Sequence, residues 1–61
     1  MKHFSTYTEA IAEARRMATA SRIDVAIRRA SRFDAPGFVV AYASRNDSDY
    51  TLAEIVRPGT P

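Results

Sequence analysis

The chain contains no cysteine. That excludes disulfides, thiolate metal sites and a cysteine nucleophile. A small protein that does without disulfides is expected in a reducing compartment, so the cytoplasm is the expected location. No apolar run approaches the roughly 20 residues needed to cross a bilayer, and no membrane partner is expected. The start of the chain, Met1-Lys2-His3-Phe4-Ser5-Thr6, has no signal-peptide apolar core and leads straight into a helix signal. Only two glycines occur, Gly37 and Gly59. They are too isolated to cradle a phosphate. The one histidine, His3, stands two residues from the N-terminus. That segment is expected to fray, and acid-base catalysis needs a positioned partner and a pocket, so His3 reads as solvated. No serine has a histidine and an acid in triad-like context. The sequence gives no catalytic residue, no metal site and no cofactor motif.

What remains is a single small domain, residues 1–61. A chain of this size buries only about 60% of the surface its unfolded form exposes, which leaves few residues to wall a substrate pocket. The net charge is +2 and the isoelectric point near 9.5. That is mildly basic, short of the concentrated positive charge of a dedicated nucleic-acid arm. Of the nine basic residues only Lys2 is lysine. Arginine's planar fork and weaker hydration suit interfaces, although a chain rich in both alanine and arginine also fits a GC-rich coding sequence.

Thr6 and Glu9 form a capping-box pattern, in which the Thr6 hydroxyl accepts from the Glu9 amide and the Glu9 carboxylate reaches back to the Thr6 amide. From there Tyr7, Ala10, Ile11, Ala14, Met17 and Ala18 make one apolar stripe, so a helix is predicted to about Ala20. Ile23, Val25 and Ile27 alternate with Asp24, Ala26 and Arg28, the period of a half-buried strand that weakens towards Phe33. Asp34-Ala35-Pro36-Gly37 is a turn signal. The run from Phe38 to Ala43 is apolar on both faces and reads as a central strand. Asn46-Asp47-Ser48-Asp49 is a second turn signal. A third strand follows from Tyr50 to Val56, with Leu52, Glu54 and Val56 on one side and Thr51, Ala53 and Ile55 on the other. Which side faces inward stays open. Short turns imply an antiparallel meander. The predicted fold is therefore α+β, one N-terminal helix on a three-stranded antiparallel sheet in the order α-β-β-β. Ile23, Val25 and Ile27 are expected against Ile11, Ala14 and Ala18. The strands beginning at Ile23 and Tyr50 are the expected edges, and an edge could pair with a second copy.

One helix covers one sheet face and leaves the other open, which favours a binding protein over an enzyme. Arg28, Arg29 and Arg32 are the densest basic cluster. Strand alternation turns Arg28 and Arg32 away from the helix. If Phe38 and Tyr42 also lie outward, aromatics and arginines share a face, which is how single-stranded nucleic acid is held. No specific nucleic-acid motif supports that alternative. Asp47 and Asp49 sit in a segment whose Asn, Asp and Ser suit a turn. A cation loop of the EF-hand kind would need ligands spread over about twelve residues. The candidate contact residues are Arg28, Arg32, Arg45, Asp47, Asp49 and Tyr50, since arginine and tyrosine are enriched at interface hot spots.

The run Glu9-Ala10-Ile11-Ala12-Glu13-Ala14-Arg15-Arg16-Met17-Ala18, followed by strands around Val25 to Ile27, Val39 to Tyr42 and Leu52 to Val56, resembles in size and layout the small phage-encoded anti-CRISPR proteins, particularly inhibitors of type I systems. The resemblance is architectural and carries over no individual residue. It implies a non-enzymatic inhibitor in the host-cell cytoplasm that binds the crRNA-guided surveillance complex and blocks target DNA binding. The +2 charge then favours covering a protein surface over imitating DNA.

Overall fold

The computed structural model describes residues 2–31, 33–43 and 51–59. Its elements run β1 (Lys2–Phe4), α1 (Tyr7–Ser21), β2 (Val25–Arg29), β3 (Phe38–Tyr42) and β4 (Leu52–Val56). The strands make one antiparallel sheet in the order β1-β3-β2-β4, with α1 packed on it. The class is α+β, but among the described residues the sheet has four strands, and a strand precedes the helix.

Local chemistry explains α1. The Glu9 amide donates to Thr6 Oγ1 (3.3 Å), and the Thr6 hydroxyl donates to Glu9 Oε1 (2.9 Å). The cap thus closes through the two side chains, with the carboxylate on the Thr6 hydroxyl where the capping-box reading puts it on the Thr6 amide. At the other end Arg22 takes a left-handed conformation, φ 58°, and its amide donates to the Ala18 carbonyl. On the exposed side Arg16 makes a two-point contact with Glu13, Nε to Oε1 at 2.8 Å and Nη2 to Oε2 at 2.6 Å. That contact holds the Glu13 carboxyl below its ordinary range.

Ala10, Ala14 and Ala18, one turn apart, are buried against Val25, Ile27, Val40 and Val56. Methyl-sized side chains let the helix lie close to the sheet. Phe4, Ile11, Met17, Phe38 and Ala53 pack around this centre. Ile23 does not join it. Strand β2 begins at Val25, three residues beyond the left-handed Arg22, and Ile23 is 49% exposed.

The topology differs from a meander. β2 is interior, paired with β3 on one side and β4 on the other, so the sheet edges are β1 and β4. β1 and β2 run in the same direction with β3 inserted between them, a split β-α-β arrangement. β3 and β4 are likewise codirectional about β2, so a tight hairpin cannot join them. The predicted turn at Asn46-Asp47-Ser48-Asp49 and the strand start at Tyr50 lie outside the described residues. The β2–β3 turn is not at Pro36-Gly37. Phe33 (φ 50°) and Asp34 (φ 63°) carry the reversal, two successive left-handed residues as a type I′ hairpin requires. Pro36 and Gly37 belong to the returning arm, where the Ala30 amide donates to the Gly37 carbonyl.

Candidate functional site

Strand register sorts the sheet into two faces. Val25, Ile27, Val40 and Val56 lie under the helix. The alternate residues form the opposite face in two rows. One runs His3, Val39, Arg28, Leu52 across β1, β3, β2 and β4, and the other runs Ala41, Ala26, Ile55. Ala26 is buried, and the other members are half-buried. Arg28 stands in the middle, on the side away from the helix as expected. Its Nη1 donates to Thr51 Oγ1 at 3.2 Å.

Phe38 and Tyr42 are not on this face. Phe38 pairs with Phe4 and Arg29, and Tyr42 pairs with Val25, all on the helix side. The Phe38 ring meets the Tyr7 ring edge-on, centroids 5.5 Å apart. The paired strand residues of the open face are therefore aliphatic apart from His3 and Arg28.

His3 departs from the reading of a frayed, solvated terminus. It is half-buried in β1, and its Nε2–H donates to the Ala30 carbonyl at 3.0 Å. The bond fastens the edge strand to the far end of β2. Of the other predicted contact residues, Arg32, Arg45, Asp47, Asp49 and Tyr50 lie outside the described residues. Among the described residues no cluster of three or more His, Cys, Asp or Glu could hold a metal. Among the described residues no helix is long and apolar enough to cross a membrane.

The structure also brings together groups that sequence patterns do not connect. Tyr7 OH donates to the Glu54 carboxylate across 47 residues of chain. That bond, with some burial and the carboxylate charge, raises the Tyr7 phenol above its ordinary value. Beside Tyr7, at the N-terminal end of α1, lies a cleft of about 620 Å³. It is bounded by Ser5, Thr6 and Tyr7 from the helix start, by Arg29, Ala30, Ser31, Pro36, Gly37 and Phe38 from the arms of the β2–β3 hairpin, and by Thr51. The one sequence signal for it is Arg29, whose alternation with Arg28 already points it the other way.

Comparison with protein-family models, with curated proteins and with solved structures gives no match.

Proposed function

We propose that this chain is a non-enzymatic binding protein that sets the open face of its sheet against another protein. The observation that supports this most directly is the make-up of that face. Val39, Ala41, Leu52 and Ile55 surround a central Arg28. An aliphatic patch centred on one arginine is the composition of an interface core with an anchoring charge. Its complement is an apolar protein surface with a hydrogen-bond acceptor facing Arg28, which already donates to Thr51. The nucleic-acid alternative loses support, because single strands are held by stacking, and both Phe38 and Tyr42 lie on the helix side.

Within this class, the architectural resemblance makes the crRNA-guided surveillance complex of a type I system the first partner to test. In this proposal the chain is a phage-derived inhibitor that covers a protein surface and blocks target DNA binding. Arg32, Arg45, Asp47, Asp49 and Tyr50 are proposed to extend the contact.

The experiment is biolayer interferometry of the purified chain against a panel of purified type I surveillance complexes and against single-stranded DNA. Binding should be to protein and should change little between about 50 and 200 mM salt, whereas phosphate contacts would lose orders of magnitude. Arg28→Glu should weaken it by at least about tenfold, the scale of an interface hot spot. No binding to any complex removes the inhibitor reading. Steeply salt-dependent binding to DNA alone removes the protein-binding reading as well.

A further inference from the structure

We infer that the cleft at the N-terminal end of α1 is a binding site for a small aromatic carboxylate. The cleft lies on the helix side of the sheet, away from the face proposed to meet a protein, so the two inferences stand or fall separately. Its volume of about 620 Å³ falls within the roughly 300–1,000 Å³ typical of small-molecule sites. Its walls are mainly apolar. Tyr7 and Phe38 meet edge-on at 73°, and Ala30 and Pro36 continue the surface. A planar ring can lie against such walls in the offset or edge-to-face geometries that aromatic pairs prefer.

The charge comes from Arg29. It pairs with Phe38 in the sheet register, so the guanidinium shares the helix-side face with the aromatic wall. Arg29 is exposed, and among the described residues its side chain makes no ion pair or hydrogen bond. On α1 and β4 the acids are already engaged, Glu9 by the Thr6 hydroxyl, Glu13 by Arg16 and Glu54 by Tyr7. None of them lines the cleft. A single planar cation matches a single planar anion, and the guanidinium fork receives a carboxylate in two parallel bonds. Among the described residues Arg29 is the one cation that lines the cleft, which suits a monoanion on a ring better than a phosphate with its second charge.

Benzoate is the probe, titrated into the full-length ¹⁵N-labelled chain, with benzamide as its neutral counterpart and inorganic phosphate as an anion without a ring. Benzoate should shift the amides of Tyr7, Ala30, Gly37 and Phe38 saturably, with a Kd on the order of 1 mM, as expected of so small a ligand in an open cleft. Benzamide should bind about tenfold more weakly. Arg29→Gln should bring benzoate down to the level of benzamide and leave benzamide unchanged. An unaltered amide spectrum outside the cleft shows that this variant folds. Arg29→Lys, which keeps the charge and loses the fork, should recover only part of the affinity. Equal binding of benzoate and benzamide, shifts outside the cleft, or phosphate binding as tight as benzoate would each overturn the inference.

Discussion

Gly37→Ala should destabilise the protein by about 1–2 kcal/mol, and the sign of that change tests how β1 is attached. The Gly37 backbone is not in the left-handed region, so alanine can adopt it. On that ground alone the substitution would stabilise by about 0.4–1 kcal/mol, by restricting the unfolded chain. Space reverses the expectation. A methyl at Gly37 would lie 2.6 Å from the Phe4 carbonyl oxygen and 2.5 Å from His3 Nε2, with His3 Cε1 closer still. Comfortable contact is roughly 3.5 Å. The imidazole can swing aside only by giving up its 3.0 Å bond to the Ala30 carbonyl, at a cost of about 1 kcal/mol. The Phe4 oxygen belongs to the backbone of β1, so the strand must shift or let go. Letting go exposes Phe4, a further loss of about 1 kcal/mol for a half-buried phenylalanine. Release also returns about 1–2 kcal/mol of backbone entropy per residue, which caps the total. A domain of 61 residues has about 3–9 kcal/mol of stability, so the change is readable in urea unfolding. Amide exchange should show lost protection in Lys2–Phe4 and retained protection in β2. His3→Ala combined with Gly37→Ala should cost less than the sum of the single changes, because the ring is one of the two obstacles. A Gly37→Ala protein as stable as the parent, with β1 still protected, would refute this account.

Arg22→Gly should raise the midpoint of thermal unfolding. A left-handed residue with a side chain costs about 1–2 kcal/mol, of which the greater unfolded-state freedom of glycine returns about half, and a lower midpoint would refute the reading of Arg22 as a strained cap. Phe33→Asn together with Asp34→Gly supplies the residues a type I′ turn prefers, so urea unfolding should show a gain of about 1 kcal/mol or more, and a loss would mean that Phe33 supports the fold through its ring. Tyr7→Phe should flatten the alkaline stability profile. The phenol is held above its ordinary value of about 10, so the folded state keeps this proton more tightly than the unfolded state. The associated stability is complete below about pH 10 and is lost as pH rises through the higher folded value. Urea unfolding between about pH 8 and 11 should therefore show the parent and Tyr7→Phe converging, and parallel profiles would refute it.

The helix was legible because two independent signals coincide, the Thr6 and Glu9 cap and the 3.6-residue stripe through Ala10, Ala14 and Ala18. The placement of Val25, Ile27 and Arg28 followed from alternation alone. Other features were hidden for physical reasons. β1 is three residues long, too short to show a period, and its attachment rests on His3, a residue that gives no strand signal. Ile23 continues the alternation in sequence, but Arg22 has already turned the backbone, so the pattern outruns the strand. Pro36-Gly37 is the stronger turn dipeptide, yet the reversal falls on Phe33 and Asp34, where the type I′ geometry overrides a poor local fit. The strand order was hidden because the meander assumes that neighbours in sequence are neighbours in the sheet. The cleft was illegible because it joins the helix start to the arms of the β2–β3 hairpin, a contact that no local pattern encodes.

The inward side of β4 could not be chosen from sequence because neither alternation holds along its whole length. Val56 and Glu54 pair with Val25 and Ile27, which puts both on the helix side. Strict alternation would add Leu52 to them. Instead the register slips between Ile27 and Arg28, so that Ala53 is the extra residue of a β-bulge and Leu52 stands opposite Arg28. The open face depends on that slip. Above it, Glu54 faces the helix and accepts from Tyr7, and among the described residues no carboxylate lines the cleft beside Arg29. Below it, Leu52 joins Val39 on either side of Arg28 and completes the aliphatic row of the open face. Without the bulge, Leu52 would fall under the helix, where Ala10, Ala14 and Ala18 hold the layers too close to admit another large side chain. One extra residue in β4 thus reconciles a tightly packed alanine face with an aliphatic outer face.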